Sequence, residues 1–154
     1  IKKNKNKKQI NKFFSFWKKL GSKIIFMNEA QHDKIFSATS HLPHLIAYNL
    51  IKTAQDFQRL HKENIIRYSA GGLRDFSRIA ASNEIMWRDI FFNNSKNMSK
   101  IIDLFIKNLK NFNLDINKKR NSILINKLKN SKKVRRQILL LKQDVSEPDF
   151  GRDN

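Results

Sequence analysis

A chain of 154 residues is long enough for one domain with a core and too short for two large ones. It contains no cysteine, which excludes a disulfide framework and a thiolate metal site and suits the cytoplasm. It has no apolar run near 18 residues, and neither a membrane span nor a secretory segment is expected. The net charge of +19 raises nucleic acid as a partner. Its distribution weakens that reading. Residues 1–28 carry no acid, residues 96–142 carry only Asp103 and Asp115, and the middle, 29–95, is close to neutral. Together with the heavy use of Asn and Ile, this reads as a compositional bias on solvent faces, so the expected partners include neither nucleic acid nor a membrane.

The chain opens on Ile1 rather than Met and is expected to be a fragment of a longer protein. Residues 1–8 are polar and rich in Lys and Asn. From Gln9 to Leu20, the residues Ile10, Phe13, Phe14, Trp17 and Leu20 recur at helical spacing with lysines opposite, the stripe of a helix that packs on a neighbour. Gly21 stops that helix, and Lys23 to Met27 has the length and β-branching of a buried strand. One strand cannot satisfy its own backbone and nothing else in the chain reads as strand, so residues 1–28 are expected to be the last helix and strand of an α/β domain whose body is missing.

Asn28 with Gln31 makes a capping box that starts a helix near Glu29. Pro43 is expected to interrupt it, and a second helix, about Leu45 to Leu60, carries the broad apolar face of Leu45, Ile46, Ala47, Leu50, Ile51 and Ala54. After a loop near 63–69, Gly71-Gly72 is expected to supply a turn with φ > 0 and a short helix follows. A helix from Glu84 with Asn83 or Ser82 as cap comes next, then helices over about Ser95–Asn113 and Ser122–Leu141. Residues 144–154 read as an acidic tail. From 29 to 143 the chain is expected to be entirely helical.

Two groups of residues carry chemistry. In S-H-L-P-H, His41 and His44 lie three apart across Pro43; as a metal pair they lack a third ligand, and as buried, satisfied histidines they would be ordinary. In the stretch Ala70–Ile90, Arg74 and Arg78 lie four apart and project from one helix face. Either they form a surface lattice with Asp75 and Asp89, or an anion belongs between them, because a guanidinium grips carboxylate or phosphate two-pronged.

The ordered run H-D-K-I-F-S-A-T-S-H-L-P-H-L-I-A-Y, A-G-G-L-R-D-F-S-R-I-A-A-S and M-W-R-D-I-F resembles the C-terminal helical domain of the prephenate/arogenate dehydrogenases. F-W-K-K-L-G-S-K-I-I-F-M resembles that family's junction with its nucleotide-binding domain. The resemblance covers about residues 13–95; beyond it only helical character persists. It implies a mainly α chain, the helical dimerisation domain of a two-domain dehydrogenase (29–143) behind a helix-strand remnant of a Rossmann-type domain (1–28). It implies oxidative decarboxylation of prephenate or arogenate with NAD or NADP, and a homodimer. By the same correspondence Arg78 anchors a substrate carboxylate and His44 contacts substrate, with Arg74 and His41 completing the binding set. Asp33, Ser40, Asp75 and Trp87 form the supporting network. The catalytic His and the cofactor site are expected in the missing domain, since Gly21, Gly71, Gly72 and Gly151 cannot write G-x-G-x-x-G. The alternative is a basic, non-enzymatic helical module that binds nucleic acid or an anionic membrane through its Lys-rich ends.

Overall fold

The computed structural model describes residues 7–144. Its elements are α1 (Lys7–Lys19), α2 (Glu29–Phe36), a π-helical turn (Ser37–His41), α3 (Leu42–His61), a 3₁₀ turn (Ile65–Tyr68), α4 (Gly71–Ala80), α5 (Glu84–Asn93), α6 (Ser95–Asn117) and α7 (Asn121–Leu140). The expected tail from 145 onward lies outside the described residues, as do residues 1–6.

Local chemistry explains most helix ends. The Asn28 side chain accepts from the Gln31 N–H at 2.7 Å and opens α2; Asn83, not Ser82, does the same for α5 through Met86 N–H at 2.8 Å. Gly21, at φ +80°, closes α1 as expected. The ends of α3, α6 and α7 use a left-handed lysine instead, Lys62, Lys119 and Lys142, at positions where glycine is the usual stop.

Three expectations change. Lys23–Met27 forms no strand: among the described residues it has no second strand to pair with, and Phe26 turns back to meet Phe14 edge-on at 5.1 Å. Gly71 and Gly72 supply no left-handed turn, because Ala70, extended at φ −84° and ψ 171°, already redirects the chain and both glycines enter the first turn of α4. Pro43 does not interrupt the helix. It sits in the first turn of α3, where a missing N–H costs least, and the Leu42 N–H bonds to the Ser37 carbonyl across the π turn, so helix runs from 29 to 61.

α3 is the hub, packing on α4, the π turn, the 3₁₀ turn and α6. The core is thin. Among the described residues, the buried apolar side chains are Ala47, Trp87 and Met98. Accessible area is 13774 Å², against roughly 8,100 Å² expected for a compact monomer of this mass. Leu104, Ile106 and Leu109 of α6 and Ile123, Leu128 and Val134 of α7 are among the apolar side chains left open.

One charged staple joins α6 to α7. Asp115 is 2% exposed, ion-paired to Lys127 and, at 3.4 Å, to Arg120; the Lys127 ammonium also lies 4.9 Å over the Phe112 ring. The Lys127 hydrogen bond holds the Asp115 carboxyl below its ordinary value against the opposing effect of burial, with Arg120 adding to the depression. A carboxylate with a depressed folded-state pKa contributes stability that is present above its unfolded value and lost as pH falls through the folded value. Asp115→Asn should therefore lower Tm at pH 7 by on the order of 5 °C. The loss should shrink as pH falls through and below 3.8, the carboxyl's ordinary value. Thermal melts of both proteins across that range check it; parallel curves would contradict it.

Candidate substrate site

The π turn, α3 and α5 bring the aromatic part of the site together. Trp87, 6% exposed, is the buried anchor of α5. His44 stacks on it with ring centroids 3.7 Å apart and planes at 21°, His41 meets it edge-on at 6.1 Å, and Phe91 lies 5.5 Å away. The π turn places His41 and the start of α3 places His44, so both imidazoles of S-H-L-P-H reach the same indole.

Their hydrogen bonds are specific. His44 Nδ1 lies 3.0 Å from the Ser40 carbonyl, which can only accept, so His44 carries its proton on Nδ1. Ser40 thus acts through its backbone, holding the ring that stacks on Trp87. Asp33 bonds His32 Nδ1 at 3.1 Å through its carboxylate and accepts from the Asn94 amide at 2.8 Å through its backbone carbonyl. Burial pushes the His41 pKa down; His32 and His44 add to the shift and Asp33 opposes it. Beside these groups opens a pocket of about 390 Å³, lined in part by Asp33, His41, Met86, Asp89 and Asn94.

The Trp87 indole N–H is buried with no hydrogen-bond partner among the described residues. A buried donor without an acceptor is uncommon. His41 Nε2 and His44 Nε2 likewise bond no described residue.

Arg74 and Arg78 lie on α4, the helix packed against α3, and both are exposed. The surface lattice considered from spacing does not form. Asp89 pairs with its neighbour Arg88 at 2.8 Å, and among the described residues Arg74, Asp75 and Arg78 make no ion pair. Two guanidiniums one helical turn apart thus stand without a carboxylate between them. The structure brings His41, His44, Ser40 and Trp87 into direct contact; it puts Arg74, Asp75 and Arg78 on the adjoining helix with no direct bond to that cluster. Asn94 escaped the sequence reading. The one signal for it was its place in the Asn-Asn-Ser break between two predicted helices.

An all-helical unit with a thin core, open apolar faces and, on the helix packed against α3, two arginines that pair with no described carboxylate defines a class: a helical domain built to associate with other protein surface. The chain belongs to the prephenate dehydrogenase dimerization-domain family, whose model matches residues 28–130. It is 37% identical over 129 residues to a cyclohexadienyl dehydrogenase of Zymomonas mobilis, covering 84% of this chain and 43% of that protein. It is 35% identical over 104 residues to a prephenate dehydrogenase of Bacillus subtilis, covering 65% of this chain and 26% of that one. The crystal structure of A. aeolicus prephenate dehydrogenase with hydroxyphenyl propionate and NAD+ superposes with a TM-score of 0.76 at 34% identity, over 90% of this chain and 48% of that one. Synechocystis arogenate dehydrogenase shares the fold, with a TM-score of 0.70 at 22% identity. The chain thus spans less than half the length of these relatives.

Proposed function

We propose that this chain is the substrate-binding and dimerising part of a dehydrogenase that oxidatively decarboxylates prephenate, or its amino analogue arogenate, on the route to tyrosine. In that reaction hydride leaves the ring carbon bearing the hydroxyl, CO2 is lost, and the ring becomes aromatic. NAD or NADP takes the hydride when held by a nucleotide-binding domain, to which residues 1–28 would contribute. Within this reading the protein is a cytoplasmic homodimer.

The observation that carries the reading is the unpaired Arg74 and Arg78 on α4, beside the α3 that holds His44 on Trp87. Prephenate carries two carboxylates, and a forked guanidinium is the side chain best suited to bind one in a site that excludes water. Arg78 anchors a carboxylate, with Arg74 adding positive potential and Asp75 adjusting it. His44 contacts the substrate from a ring fixed by the Ser40 carbonyl. His41 offers a further polar contact, Asp33 holds the His32–Asn94 side of the cluster, and Trp87 is the floor on which both imidazoles rest.

The test is assembly. Alone, the chain should show no NAD+ binding and no turnover. Joined in frame to a nucleotide-binding half from a relative, it should reduce NAD+ at the expense of prephenate. A correctly folded, dimeric fusion that binds NAD+ and leaves prephenate and arogenate untouched would overturn the reading.

A further inference from the structure

Asn94 stands at the junction of α5 and α6 and is 6% exposed. Its side chain makes three hydrogen bonds. Nδ2 donates to the Asp33 carbonyl at 2.8 Å and lies 3.2 Å from His41 Nδ1, while Oδ1 accepts from Asn97 Nδ2 at 2.8 Å. The assignment follows from chemistry. A backbone carbonyl can only accept, so the atom facing Asp33 must be the amide NH2, and the second hydrogen of that NH2 is the one available to His41. His41 Nδ1 must then be the bare, accepting nitrogen, and the ring proton sits on Nε2.

We infer that Asn94 is a positioning residue for the substrate site: its amide locks His41 as the Nε2–H tautomer, opposite to the Nδ1–H tautomer that the Ser40 carbonyl imposes on His44. The two imidazoles on Trp87 therefore present unlike groups. His41 offers a neutral donor, matched to a carboxylate or carbonyl oxygen. Neutral His44 offers an acceptor at Nε2, and only its protonation turns that atom into a donor. The titratable groups around His41 are His32 and Asp33 on α2 and His44 on α3. Asn94 itself is uncharged, so it orients the ring without adding a charge that would favour the imidazolium. The inference rests on the substrate reading above only for its consequence in turnover; the tautomer itself follows from the hydrogen bonds.

The test is long-range proton–nitrogen correlation of ¹⁵N-histidine in the dehydrogenase that joins this chain to a nucleotide-binding half, with the His41 signal assigned by its loss in His41→Gln. The expected result is Nε2–H for His41. Asn94→Asp replaces the donor by an acceptor, so His41 should switch to Nδ1–H, and kcat/KM should fall about tenfold or more while the dimer and helix content persist. A wild-type His41 carrying its proton on Nδ1 would overturn the inference, as would a folded Asn94→Asp protein with an unchanged tautomer. If Asn94→Asp does not fold, the wild-type spectrum alone decides. Because the spectrum needs no substrate, a correct tautomer in a protein that ignores prephenate would count against the proposed substrate and not against Asn94.

Discussion

Replacing Arg78 by alanine in the assembled dehydrogenase should raise KM for prephenate by about 100-fold or more, with NAD+ affinity unchanged. The scale comes from truncating one partner of a charged pair that loses water on binding, roughly 2–5 kcal/mol. Among the described residues Arg78 pairs with no carboxylate that it would have to release before binding substrate, so the interaction is available to the ligand. Arg78→Lys should recover only part of the loss, since an ammonium keeps the charge but not the planar fork. Arg74→Ala should cost less if Arg74 supplies field and not direct contact. Steady-state kinetics and an NAD+ titration on the same preparations separate these outcomes. An unchanged KM in Arg78→Ala would remove that residue from its proposed role.

The second large effect concerns assembly. Ile106 and Leu109 lie three apart on α6 and are 44% and 57% exposed, although α6 packs on α3, α5, α7 and the π turn, any of which could have covered them. Open apolar faces of this kind are what obligate dimers bury. Introducing a charge at both positions, Ile106→Asp with Leu109→Asp, should weaken the dimer by at least about 10³-fold, because each carboxylate would have to be desolvated without a partner. Sedimentation equilibrium should show dimer for the wild-type protein and monomer for the variant, and Tm should lose its dependence on concentration. A variant that remains a dimer would move the interface elsewhere.

These two regions differ in how far the sequence exposed them. Periodicity and caps located every α-helix among the described residues, but not the 3₁₀ turn Ile65–Tyr68, which lies in the stretch expected as a loop; the Asn28 and Asn83 caps were legible because capping is local chemistry. What failed needed information from outside the segment. Lys23–Met27 has strand composition, yet a strand exists only where another lies beside it. Pro43 reads as a break, but the π turn before it absorbs the missing donor, and nothing in S-A-T-S-H announces a π turn. The arginines were legible as a pair on one face, whereas their freedom from Asp89 depends on how α4 and α5 are set relative to each other. The His44–Trp87 stack joins residues 43 positions apart, which no local pattern encodes. Asn94 was hidden for the same reason: its side chain bonds residues 61 and 53 positions away.

The π turn has a functional consequence of its own. By keeping 29–61 helical through Pro43, it holds His41 and His44 on rigid elements, and a site built on helices is positioned more tightly than one built on loops. The left-handed lysines that end α3, α6 and α7 lie away from this cluster in the chain and have no evident part in it.

The central claim is that cationic and imidazole side chains from α4 and α3 hold a small dicarboxylate over Trp87. A crystal structure of the assembled dehydrogenase with prephenate, or with a stable dicarboxylate analogue, tests it most directly. The expected result is one carboxylate within hydrogen-bonding distance of the Arg78 guanidinium and the ligand in contact with His44. A ligand bound with both carboxylates away from Arg78 and His44 would contradict it.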